Sequence, residues 1–67
     1  MADFEIQALD RYPGFEIVFD AEGQCIGLVF RSNKFPYPRA FFSCSEASVY
    51  YGNSSLEAVL ASYDFDK

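Results

Sequence analysis

Five short apolar segments, each closed by turn residues, are followed by one stretch with a helical period. That order limits the fold more than any other feature of the chain. Residues 3–8 alternate, with Phe4, Ile6 and Ala8 against Asp3, Glu5 and Gln7. A period of two reads as a half-buried strand, with a short helix as the competing reading. Tyr12-Pro13-Gly14 is a turn, because Pro fixes one torsion and Gly permits the next. Residues 15–20 alternate again, with Phe15, Ile17 and Phe19 on one side and Glu16, Val18 and Asp20 on the other. Asp20-Ala21-Glu22-Gly23 is a hairpin loop with Gly available for a left-handed position. Residues 24–30 are apolar on both sides. They fit a central strand covered on both faces, or one whose second face meets a partner. Gly27 within them marks a bulge or a close backbone approach.

Ser32 to Arg39 is a loop, since Pro36 and Pro38 remove two backbone donors and extend Phe35 and Tyr37. Residues 40–44 and 48–51 read as short strands joined by the polar turn Ser45–Ala47. Ser54-Ser55-Leu56-Glu57 is a capping box, in which a Ser and a Glu three residues apart satisfy two orphan amides. Leu56, Val59, Leu60 and Tyr63 then recur at a helical period, predicting a ten-residue helix. So short a helix does not persist alone and must dock on the sheet. The expected fold is α+β: an antiparallel sheet of four to five strands with one C-terminal helix packed on one face.

Sixty-seven residues make one domain, residues 1–67, of marginal stability. Eight Phe and five Tyr enrich the chain well beyond an acidic disordered tail. No apolar run reaches the ~20 residues that span a bilayer. The acidic start Met-Ala-Asp-Phe-Glu is unlike a secretory signal, so the expected location is the cytosol, with no membrane partner. Cys25 and Cys44 are then expected reduced and packed as small hydrophobes, with a disulfide between them as the alternative. Two Cys with no His leave an ordinary zinc site incomplete, and no metal or other cofactor is expected.

Charge carries most of the functional signal. The net charge is −5, yet residues 31–39 sum to +3, between an N-terminal part at −5 and a C-terminal part at −3. With Phe4, Ile6, Phe15, Ile17 and Phe19 turned to the helix, alternation sends Asp3, Glu5, Glu16 and Asp20 to the opposite face. Glu22 joins them at the hairpin tip, and five such carboxylates create a potential of several kT. A solvated face kept charged for solubility is the plain alternative. Asp64 and Asp66 lie at the end of the helix, where negative charge opposes its dipole, and so suggest acids kept for contact; a helix ending at Tyr63 with a frayed tail is the plain alternative. Phe65 between them is either a core plug or an exposed anchor.

The loop Arg31, Lys34, Phe35, Pro36, Tyr37, Pro38, Arg39 mixes bases with aromatics. Three charges against −5 make direct nucleic-acid binding a poor fit, and an ordinary rigid loop, or Phe35 and Tyr37 as knobs for a protein partner, reads better. Phe41-Phe42 and Tyr50-Tyr51 are adjacent pairs, so one member of each points away from the helix-covered core. Enzymatic readings lack parts: seven Ser have no His, and the four Gly form no phosphate loop.

The dispersed acids Asp3, Glu5, Glu16, Asp20, Glu22, Glu57, Asp64 and Asp66 on an aromatic-rich scaffold give the chain a family likeness. In size and composition it resembles the small phage-encoded anti-CRISPR proteins, which are often short, acidic, single-domain α+β folds. The resemblance implies a stoichiometric inhibitor in the bacterial host cell. It would bind a CRISPR effector and compete with target DNA for Lys and Arg. The expected partner is thus a basic nucleic-acid-binding protein or complex, met by Asp3, Glu5, Glu16, Asp20, Glu22, Asp64, Asp66, Phe35 and Tyr37. The alternative is a structural or regulatory subunit that self-associates or binds a protein through its exposed aromatic face. Both a monomer and a homodimer fit these expectations.

Overall fold

The computed structural model describes residues 3–63. Five strands, β1 (Glu5–Ala8), β2 (Glu16–Phe19), β3 (Cys25–Arg31), β4 (Arg39–Ser43) and β5 (Ser48–Gly52), precede one helix, α1 (Ser55–Ala61). The strands form one antiparallel sheet in the order β1-β2-β3-β4-β5. The helix packs on β5 and β4 and reaches β3. This is the α+β architecture expected from the sequence, and the alternation of residues 3–8 proves to be that of a strand.

Turn chemistry sets the hairpins. Gly14 (φ 91°) and Gly23 (φ 83°) occupy left-handed positions that side chains disfavour. The Asp20 carboxylate accepts from the backbone amides of Glu22 and Gln24, each at 2.9 Å, closing the β2–β3 loop. Ala47 takes φ 55° in the turn between β4 and β5.

The helix starts as its capping box requires. Ser54 accepts from the Glu57 amide at 3.2 Å, and the Glu57 carboxylate accepts from the Asn53 amide at 2.8 Å. It spans seven residues rather than ten. Its docked side also differs from the expected one. Ala58 and Val59 are buried, whereas Leu56 is 51% exposed. The cause is proximity: a Cβ on Gly52 would lie 2.5 Å from the Ala58 nitrogen, so the helix backbone rests on β5 and only a small side chain fits there.

Val18, Val29, Phe41, Ala58 and Val59 form the core, with Phe4, Ile6, Ile26 and Tyr50 packed around it. Burying each Val or Phe contributes about 1.5–3 kcal/mol. The register fixes which residues lie under the helix: Ile6 opposes Val18, Val18 opposes Gly27, Val29 opposes Phe41, and Phe41 opposes Tyr50. This corrects the assignment of β2. Val18, not Ile17 or Phe19, faces the core, and Phe15, Ile17 and Phe19 belong to the other side. Gly27 is required by close approach, because a Cβ there would meet the Phe42 carbonyl oxygen at 2.2 Å and the Phe41 ring at 2.4 Å. The ladder shifts register between Val18 and Phe19, a bulge that brings Ile26 against the core.

Candidate functional site

The sheet's second face carries a continuous apolar row. Gln7 opposes Ile17, Ile17 opposes Leu28, Leu28 opposes Phe42, and Phe42 opposes Val49. Opposed residues share a face, so the apolar row runs from β2 to β5 on the side away from α1, with Gln7 at its β1 end. A second row runs Phe30, Ala40, Tyr51, extended by Phe15, whose ring lies 6.4 Å from that of Phe30. Among the described residues no helix or strand packs over these rows. Phe15, Phe42, Val49 and Tyr51 are exposed, and Leu9, Tyr12, Phe15 and Leu28 line an apolar hollow at one corner.

The loop at residues 32–38 borders this face. It is closed by the Ser32 amide donating to the Pro38 carbonyl at 2.9 Å and the Tyr37 amide donating to the Lys34 carbonyl at 2.7 Å. Lys34 Nζ lies 4.9 Å from the centre of the Tyr51 ring, an exposed cation–π contact of about 0.5–1 kcal/mol. Phe35 is 94% exposed, and Tyr37 is exposed to a lesser degree.

The structure does not gather the acids on one face. Glu16 lies on the helix side, where its carboxylate accepts from the Ser55 hydroxyl, and Asp20 closes its turn. Glu5 lies on the open face at β1, where its carboxylate accepts from Gln7 at 2.6 Å. The meander sorts charge by end instead. The start of β1, the β2–β3 loop and the β4–β5 turn share one end, which holds Asp3, Glu5, Asp20, Glu22 and Glu46 and, among the described residues, no base. The opposite end holds Arg11, Arg31, Lys34 and Arg39 with Asp10, Glu16 and Glu57. Burial and then the charges of Asp20 and Glu46 raise the Tyr63 pKa above the ordinary tyrosine value. A hydrogen bond donated to Glu46 at 2.5 Å, with desolvation and the carboxylate charge, raises that of Tyr50. Asp64, Phe65 and Asp66 lie outside the described residues.

Four of the expected contact acids, Asp3, Glu5, Asp20 and Glu22, are thus brought to one end, and Glu16 is not. The members of the open face missed from sequence are Phe15, Ile17, Phe19, Leu28 and Phe30. The usable signal was the pairs Phe41-Phe42 and Tyr50-Tyr51, whose outward members, Phe42 and Tyr51, do lie there. Cys25 and Cys44 are unpaired, as expected, but exposed rather than packed inside. Among the described residues no helix is long and apolar enough to cross a membrane. No family model, curated protein or solved structure matches the chain.

Proposed function

We propose that this chain is a non-enzymatic protein-binding domain whose contact surface is the uncovered sheet face. The observation that carries the reading is the apolar row Ile17, Leu28, Phe42, Val49 on a face that, among the described residues, no helix or other strand packs over. An antiparallel sheet with one solvated face places polar side chains outward. Contiguous apolar patches beyond a few hundred Å² mark interaction sites on soluble proteins. Aromatic residues are enriched at such sites and dominate their energetics. The test uses the immobilised protein and nuclease-treated bacterial lysate. Phe42→Glu and Val49→Glu each change a side chain that is already exposed. The pair together is expected to abolish capture with the fold intact by circular dichroism. Capture unchanged by the pair removes the open face as the contact.

A second reading is favoured by the acidic end. It makes the domain an inhibitor of a basic nucleic-acid-handling protein, in which carboxylates stand in for phosphates; anti-CRISPR action on an effector complex in the bacterial cytoplasm is one form of it. Its support is the five acids at one end with no base among the described residues. Such a field speeds encounter and makes binding salt-sensitive. Neutralising Asp3, Glu5 and Glu22 together spares the turn-closing Asp20. It is expected to slow association with a basic partner by about tenfold or more at low salt. An unchanged rate excludes the acidic end from the contact.

A further inference from the structure

We propose that the occupant of the uncovered face is a second copy of this chain, docked about a twofold axis lying along the row Ile17, Leu28, Phe42, Val49. The proposal rests on the open face being a contact surface and names what covers it. Three observations lead to a second copy.

The first is size. The two broad extents of the domain, 29 × 26 Å, bound the projected area of this face at about 750 Å². A standard interface takes ~800 Å² from each partner. Two such faces stacked ~10 Å apart make a closed sandwich, the usual way for sheets to bury paired apolar faces. The second is position. The apolar row crosses the middle of the face from β2 to β5, so a twofold along it sets each row on its own image. Interfaces of twofold dimers are self-complementary in this way.

The third is charge, which selects among twofold arrangements. An axis parallel to the strands would set the two acidic ends side by side. An axis across the strands sets the end bearing Asp3, Glu5 and Glu22 over the end where Arg11 and Lys34 lie with Asp10, while Arg31 and Arg39 belong to the helix side. Opposed unlike ends offset the repulsion between two chains of net charge −5. Glu5 projects on the open face at the acidic end of β1, and Arg11 sits in the turn at the other end of the same strand. In the crossed arrangement Glu5 of each copy faces Arg11 of the other, and the contact occurs twice.

Sedimentation velocity from about 1 µM to about 1 mM covers the span from firm to marginal association. The expected result is conversion of the 7.6 kDa chain to a species of twice that mass as concentration rises. Phe42→Glu is expected to weaken the dimer by about tenfold or more with an unchanged circular dichroism spectrum. Glu5→Arg and Arg11→Glu are each expected to weaken it several-fold, and the double reversal to restore it. A 7.6 kDa species at every concentration overturns self-association. The open-face reading still stands if Phe42→Glu with Val49→Glu abolishes lysate capture. A dimer indifferent to Phe42→Glu overturns the open face as the dimer contact, and the open-face reading is then decided by the capture experiment alone. Failure of the double reversal to restore association overturns this twofold.

Discussion

On one side of the sheet, Gly52 lies so close beneath α1 that an added Cβ would meet the backbone nitrogen of Ala58 at 2.5 Å. On the other, Phe30, Phe42 and Tyr51 stand with no helix or strand of the described residues over them. The fully buried centre of the covered face is built largely of small residues, Val18, Gly27, Val29 and Gly52 in the sheet and Ala58 and Val59 in the helix, with Phe4, Ile6, Ile26 and Tyr50 packed around them. Phe41 is the one large side chain among them that is fully buried. The open face instead sets Ile17, Leu28, Phe30, Phe42 and Tyr51 across its middle. Small residues let a tethered helix approach closely and pack to interior density. Large apolar side chains would hold that helix away, yet they supply the area on which an untethered partner depends. The two faces therefore differ less in hydrophobicity than in side-chain size.

The largest expected effect tests that difference at two adjacent residues. Phe41 is 1% exposed and Phe42 is 37% exposed. Phe41→Ala removes a core ring and is expected to cost about 3–5 kcal/mol, enough to unfold much of so small a domain. Phe42→Ala is expected to cost about 1 kcal/mol or less when urea unfolding is followed at low concentration, where association adds nothing. Equal losses would mean that the two faces contribute alike to the fold, and the distinction would collapse.

The next effect concerns the helix seat. Gly52→Ala places a methyl group against helix backbone, where no flexible side chain can yield. The expected cost is about 1–3 kcal/mol by chemical denaturation, the range for overpacking. A neutral result would place the helix farther from β5 than described here.

Much of the fold was legible. The turn residues separated the strands, and the capping box located the start of α1 at Ser55 behind its Ser54 cap. The face of β2 was not legible. Phe15, Ile17 and Phe19 outweigh Glu16, Val18 and Asp20 in apolar content, so counting turns them inward. Register decides otherwise, because Val18 is the residue aligned with Ile6 and Gly27 under the core. Leu56 misled in the same manner, since the tight seat over Gly52 accepts Ala58 and turns the larger side chain to solvent. Both errors come from contacts between elements, which local periodicity does not encode. The acids follow from the same correction. Once β2 is turned over, Glu16 leaves the proposed acidic face, while the meander still brings Asp3, Glu5, Asp20 and Glu22 to one end.

The smallest expected effect is read at Tyr50, which packs at the core side while its neighbour Tyr51 points outward. The Tyr50 hydroxyl donates to Glu46, and that bond, with desolvation and the nearby carboxylate charge, raises its pKa. A raised folded-state value means that the neutral phenol is favoured by folding. The contribution is complete below the unfolded tyrosine value of about 10 and is lost as pH climbs through the folded value. Stability should therefore be flat with respect to this group near neutral pH and decline in the alkaline range. Absorbance of tyrosinate against pH, compared between the native chain and Tyr50→Phe, isolates the late-ionising group. Glu46→Gln keeps a side chain that can accept the hydroxyl but removes the charge, so it should move the Tyr50 titration back toward the ordinary value. Tyr63 is also raised, by burial and by Asp20 and Glu46, so some alkaline loss should survive in Tyr50→Phe. An alkaline decline identical in the two chains would detach Tyr50 from Glu46. The turn between β4 and β5 would then have lost the contact that ties it to the helix side of the sheet.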